Sequence, residues 1–310
     1  MTRVKLGLSG LEVSPICHGS WQLSPGMWGK VPGDKVIAAM RRAVEVGVNF
    51  FDTADEYGDG LSESILGEAL KPLRREELVI ATKVCFRFLP DGRQFLDLSK
   101  RHVLEACDAS LKRLRTDYID LYQCHAYDVT TSIGETAEAL EALHTAGKIH
   151  AYGASNFAVE QLRLARKYGN FATLQPRYNL LKPEAEDDLL PYCAAEGLGT
   201  LVYSPLHMGL LSGKYKGRER FRDFRREDSD FQGKRFKDLA ARARALKPIA
   251  ERNDVTIPQL VLTATLANPH VNVAIVGVKE PRHIEEAAAI MDKQLSREDY
   301  YDVRRTLGTL

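Results

Sequence analysis

Four side chains able to manage a proton at a carbonyl group stand at or just past the ends of strand-like runs: Asp52, Tyr57, Lys83 and His125. The run Asn49-Phe50-Phe51-Asp52 has no polar alternation, as a parallel strand buried on both faces requires. It passes at once into the polar loop Thr53-Ala54-Asp55-Glu56-Tyr57-Gly58. Leu78-Val79-Ile80-Ala81-Thr82-Lys83 closes on a lysine, and an ammonium at a dry strand end needs a partner, for which Asp52 is the candidate. Tyr118 to His125 closes on a histidine, the side chain best suited to donate or accept near neutral pH. A tyrosine with an ordinary pKa of about 10 donates poorly until a cation lowers it. The expectation is that Lys83 is that cation, that Asp52 orients it, and that His125 fixes a carbonyl oxygen beside the Tyr57 hydroxyl.

None of these groups delivers a hydride, so carbonyl reduction by them needs a cofactor. Later strand ends offer groups that match an amide, namely Ser155, Asn156 and Gln175. Tyr203 offers a flat face for a nicotinamide ring, and Lys214 and Lys279 could meet phosphates. No GxGxxG follows a strand. Gly209-Leu210-Leu211-Ser212-Gly213-Lys214-Tyr215 looks like a phosphate loop but has the wrong glycine spacing and ends in Tyr.

The elements that must position these groups alternate eight times. After a hairpin over Val4 to Val13, expected to plug one end of the fold, strands are read at Ser14–Ser20, Asn49–Asp52, Leu78–Lys83, Tyr118–His125, Ile149–Asn156, Ala172–Gln175, Gly199–Ser204 and Val271–Gly277. Helices with apolar residues three to four apart lie between them: Asp34–Gly47, Ser62–Leu73, Ser99–Leu114, Ile133–Ala146, Val159–Tyr168, Glu184–Glu196, Asp238–Asn253 with Pro258–Leu266, and Pro281–Met291. Ser296 to Leu307 follows. Pro205 to Arg235 reads as a long functional insertion, whose charges from Arg218 to Arg226 suggest mobile solvated surface. Such alternation suits an open doubly wound sheet as well as a (β/α)8 TIM barrel. Polar strand ends spread around the whole chain favour the barrel, where all eight converge on one mouth, as a single domain over 1–310.

Lys plus Arg total 43 against 42 for Asp plus Glu, so no basic excess recruits nucleic acid or an anionic membrane. The five cysteines form no CxxC pair and are odd in number, which argues against a disulfide framework or a cysteine zinc site. No HExxH occurs, and no metal is expected. Without an apolar leader or an apolar stretch of about 18 residues, the expectation is a soluble cytoplasmic protein acting on small molecules, its oligomeric state open.

Together the motifs resemble the aldo-keto reductase family over essentially the whole chain. Asp52-Thr53-Ala54-Asp55-Glu56-Tyr57-Gly58, Thr82-Lys83 and Asp120 to His125 match its catalytic segments. Gly153 to Phe157, Gln175 to Asn179 and Tyr203-Ser204-Pro205-Leu206 match its cofactor segments. The resemblance implies a (β/α)8 barrel using NADPH, with NADH possible, and Tyr57 as acid, Lys83 and Asp52 as its tuning pair and His125 as orienter. It places Ser155, Asn156 and Gln175 on the carboxamide and Tyr203 under the ring. It extends the cofactor site through Ser204, Leu206, Gly209 and Lys214 to Gly277, Lys279, His283 and Glu286. The departure is His283 where many members carry Gln or Arg, and Ala287 where Asn is usual, both at the adenosine end. Some proteins of this resemblance are cofactor-binding regulatory subunits of membrane channels; the intact tetrad argues for an enzyme.

Singly, Asp52 could cap a loop, Lys83 could pair structurally and His125 could be a core histidine; it is their order at strand ends that argues for catalysis. Trp21 and Trp28 in a Gly- and Pro-interrupted loop, Phe86, and Tyr127 beside Asp128 are the expected substrate walls. They suit an uncharged, possibly sugar-like, aldehyde or ketone.

Overall fold

The computed structural model describes residues 2–29, 32–89, 91 and 93–310. The chain opens with a hairpin in which β1 (Val4–Lys5) pairs antiparallel with β2 (Glu12–Val13). Eight further strands form a closed parallel barrel: β3 (Ile16–Gly19), β4 (Phe50–Asp52), β5 (Val79–Val84), β8 (Ile119–Cys124), β9 (Ile149–Ser155), β10 (Thr173–Gln175), β11 (Gly199–Tyr203) and β12 (Val273–Gly277), which returns to β3. Between β5 and β8 lies a second hairpin, β6 (Phe86–Phe88) with β7 (Gln94–Leu96).

Successive strand residues point to opposite faces, which separates two cores. Cys17, Phe50, Val79, Ala81, Leu121, Ala151, Leu201, Val273 and Ile275 fill the barrel, and Leu6 and Val13 of the first hairpin close its amino end. Phe51, Ile80 and Tyr122 face outward, where they pack with Val36, Met40, Leu66, Val103 and Leu140 of the surrounding helices. Phe50 and Phe51 are both fully buried, each burial stabilising by about 2–3 kcal/mol, and this is why their run lacks polar alternation. The same alternation delivers the site. Two residues beyond Phe50 is Asp52, two beyond Ala81 is Lys83, and two beyond Ile275 is Gly277, so the inward positions turn polar or open at the carboxyl mouth.

Helices cover the barrel at Gly33–Glu45, Leu61–Leu70, Lys100–Leu114, Ile133–Thr145, Val159–Arg166, Leu189–Ala195, Ile257–Leu266 and Pro281–Ala288. The expected helix over Asp238–Asn253 is two, Gly233–Arg244 and Lys247–Arg252, the second opening with Pro248, whose ring is tolerated only in a first turn. Glu184–Glu196 likewise divides into a single tight turn and the helix at Leu189. In the charged part of the segment after β11, Arg218, Arg220, Arg222 and Arg226 are exposed, as the expected solvated surface requires, but the aromatic residues of the segment turn inward. Tyr215, Phe231 and Phe236 pack with Leu210 and Ala240 into a satellite core, and Phe221 lies against it. Asp230 is buried there among Lys182, His207 and Arg235. The aromatic residues spaced through that basic run decide its packing. No helix among the described residues is long and apolar enough to cross a membrane.

Candidate active site

The ends of β4, β5 and β10 meet in one hydrogen-bonded chain, and the end of β8 brings His125 against it. The fully buried Lys83 ammonium donates to Asp52 Oδ1 at 2.7 Å, to the Thr53 carbonyl at 2.8 Å and to the Tyr57 hydroxyl at 3.4 Å. Its three protons are thereby satisfied, which a buried ammonium requires. The other carboxylate oxygen of Asp52 accepts from Gln175 Nε2 at 2.8 Å. Tyr57 is held over this pair by a tight loop. Gly58 turns with φ +67°, and a Cβ there would stand 2.8 Å from the Leu23 carbonyl oxygen, so only glycine lets the two loops approach. His125 meets Tyr57 edge-on at 5.7 Å, and Phe86 meets His125 edge-on at 5.4 Å.

Burial opposes the charge on Lys83, but Asp52 and the Tyr57 oxygen outweigh it and hold the lysine above its ordinary value. Burial pushes the Tyr57 phenol up to about 12; Lys83 pulls it down while Asp52 pushes it up. The expectation that Lys83 lowers Tyr57 is thus corrected in its net direction, because desolvation of the phenolate exceeds the pull of an ammonium already neutralised by Asp52. Burial, with Lys83 nearby, depresses His125 well below its ordinary range, so its imidazole is neutral near pH 7. Its Nδ1 is buried without a hydrogen bond among the described residues, 3.5 Å from Glu56 Oε2.

Asp52, Tyr57 and His125 form part of the wall of a cavity of about 960 Å³, large for a ligand pocket, with Lys83 just behind it. Ser155, Asn156, Gln175 and Tyr203 line the same cavity. Asn156 sits at φ +56°, a region Asn tolerates better than most residues. From there its amide donates to the His125 carbonyl at 2.9 Å and accepts from the Tyr203 hydroxyl at 2.9 Å, tying the ends of β8, β9 and β11. Ser204, Leu206, Gly209 and Lys214 continue the wall after β11, and Gly277, Lys279, His283 and Glu286 after β12.

At that end lies a concentration of cations. Lys214 is depressed first by burial and then by Arg225, Lys279 and Arg282; Lys279 is depressed by burial and by Arg225. Asp223 pairs with Arg225 and also attracts Lys279, and Glu280 pairs with Arg282. Cations crowded into a cavity repel one another until an anion joins them, so this end fits a phosphate group. The donor and acceptor set at Ser155, Asn156 and Gln175 fits an amide. A nicotinamide dinucleotide carries both.

Trp21 and Trp28 line the cavity, 5.3 Å apart edge to face. Phe86 and Tyr127 do not. Phe86 supports His125, and Tyr127 packs edge-on against Phe157 at 5.1 Å, because the second hairpin and the loop after β8 turn these rings toward the protein. Sequence reasoning missed Phe224, which packs on both tryptophans at 4.9 and 5.1 Å, and Arg225, which lies over the Trp28 ring. It also missed Glu56 and Gln22, both in the wall. An aromatic beside Arg225 inside a basic run was the available signal for the first two.

Comparison with known proteins adds a family context. A sequence model described as the Aldo/keto reductase family matches residues 15–307. Aldo-keto reductase YhdN of Bacillus subtilis is 36% identical over 303 residues, covering 96% of this chain and 91% of that protein. A probable voltage-gated potassium channel subunit beta of Oryza sativa is 34% identical over 306 residues, covering 93% and 90%. Among solved structures, a glycerol dehydrogenase from Gluconobacter oxydans superposes with a TM-score of 0.90 at 30% identity, covering 99% of this chain and 95% of that one.

Proposed function

Because the chain belongs to the aldo-keto reductase family, oxidoreductases that use nicotinamide cofactors on small carbonyl compounds, we propose that it reduces a neutral aldehyde or ketone with NADPH and that Tyr57 donates the proton. The observation that carries this reading is the chain Gln175, Asp52, Lys83, Tyr57 at the wall of a cavity that also contains His125. A bound nicotinamide supplies the hydride to the carbonyl carbon. The carbonyl oxygen, gaining negative charge, takes its proton from the Tyr57 hydroxyl and a hydrogen bond from neutral His125. Stabilising the phenolate left behind falls to Lys83, which Asp52 keeps ionised.

Ser155, Asn156 and Gln175 would hold the carboxamide and Tyr203 the ring face. Ser204, Leu206, Gly209 and Lys214 would follow the cofactor toward Gly277, Lys279, His283 and Glu286. Lys214, Arg225, Lys279 and Arg282 favour NADPH, since an extra phosphate relieves their repulsion. The aromatic wall of Trp21, Trp28 and Phe224 suits an uncharged substrate, and the likeness to a glycerol dehydrogenase supports a hydroxylated one. A cofactor-binding regulatory subunit is the second reading, supported by the channel-subunit relative. The complete tetrad argues for turnover. An aldehyde and ketone panel followed by absorbance of NADPH and NADH separates the two: steady oxidation of NADPH is expected, whereas tight cofactor binding with no turnover of any carbonyl compound would favour the regulatory reading.

A further inference from the structure

We infer that Glu56 sets the charge selectivity of this site: its carboxylate, facing the cavity beside Tyr57 and His125, turns away anionic carbonyl substrates and favours neutral ones, above all those with a hydroxyl to donate to it. The inference rests on the reductase reading above. It goes further by assigning substrate selection to a residue outside the tetrad.

Three observations carry it. Glu56 directly precedes Tyr57 and lines the cavity, its side chain 18% exposed, so its charge is only partly screened. Its carboxylate makes no hydrogen bond among the described residues. His125 Nδ1 stands 3.5 Å from it, and that imidazole is neutral. A half-buried carboxylate without a partner is a standing acceptor for whatever enters, which a substrate hydroxyl can satisfy and a substrate carboxylate can only oppose.

The third observation is where the cations are. Lys83 is the one nearby and is already committed to Asp52, Thr53 and Tyr57. Lys214, Arg225, Lys279 and Arg282 are carried by segments after β11 and β12 and gather around Trp28 and one another. Arg177, after β10, faces Asp228 and His207. An anionic aldehyde placed at Tyr57 would therefore meet a carboxylate and no free cation among these.

The groups facing Glu56 are Asp52 on β4, Asp55 and Tyr57 on its own loop, Lys83 on β5 and His125 after β8. Partial burial raises Glu56 and Lys83 opposes the rise. Protonation as pH falls removes the charge and with it the discrimination.

The test measures kcat/KM for 4-nitrobenzaldehyde and 4-carboxybenzaldehyde, near-isosteric neutral and anionic probes, between pH 5.5 and 8. The anionic-to-neutral ratio cancels the titrations of the tetrad, which both substrates share. We expect the unsubstituted enzyme to prefer the neutral probe and to lose part of that preference toward pH 5.5. Glu56→Gln should raise the ratio roughly tenfold at pH 8 and flatten its pH dependence. An unchanged ratio in an active Glu56→Gln enzyme, or a ratio in the unsubstituted enzyme that does not move with pH, overturns the inference alone. Failure of the unsubstituted enzyme to reduce either probe or any other carbonyl compound overturns the reductase reading, and the inference with it.

Discussion

Asp52 uses both carboxylate oxygens, one on Lys83 and one on Gln175, so the groups proposed for proton transfer and for carboxamide binding share a single buried anion. Removing one partner of such a pair leaves an uncompensated charge, at a cost of about 3–5 kcal/mol. Lys279 differs in kind. It lies 4.7 Å over the Trp28 ring, is repelled by Arg225 and attracted by Asp223, and makes no salt bridge among the described residues, so it can take an anionic partner. Lys279→Ala should weaken NADPH by about 1.5 to 3 kcal/mol, the worth of a charge-assisted bond, and NADH much less. Fluorescence titration of both cofactors checks this; equal weakening would remove Lys279 from the phosphate role.

At the scale of the element, β3 contains a fully buried histidine. His18 is fully buried against Phe51, neither ring nitrogen is hydrogen-bonded among the described residues, and burial lowers its pKa to about 4. Between pH 6.5 and 4 the unfolded chain protonates this residue and the folded protein does not. Stability therefore falls as pH drops through that window, by up to about 3 kcal/mol from this group. His18→Leu should consequently lose less Tm than the unsubstituted protein between pH 7.5 and 4.5. Equal losses in scanning calorimetry would show that His18 does not titrate this way. The strands were legible in the sequence because burial on both faces leaves uninterrupted apolar runs, as at Phe50-Phe51 and Leu78–Ala81. The β6–β7 hairpin was not, since Phe86, Arg87 and Phe88 lie outside the barrel and carry no such run.

For the whole molecule, convergence is the central fact: residues from Trp21 to Glu286 line one cavity because parallel strands present all their carboxyl ends to one side. Polar residues at strand ends therefore made most of the candidate site readable in order along the chain. What stayed hidden was set by tertiary contacts. Phe224 and Arg225 reach the tryptophans only because Tyr215, Phe231 and Asp230 anchor the long segment after β11. The tetrad, in contrast, can be tested without disturbing this framework. Tyr57→Phe removes one hydroxyl whose hydrogen-bond partner, Lys83, keeps Asp52 and Thr53. Turnover of the best aldehyde, measured beside the Kd for NADPH, should fall by roughly 10²–10⁴-fold, the usual contribution of a general acid, while the Kd stays nearly constant. Near-normal reduction by Tyr57→Phe would contradict the assignment of the proton donor.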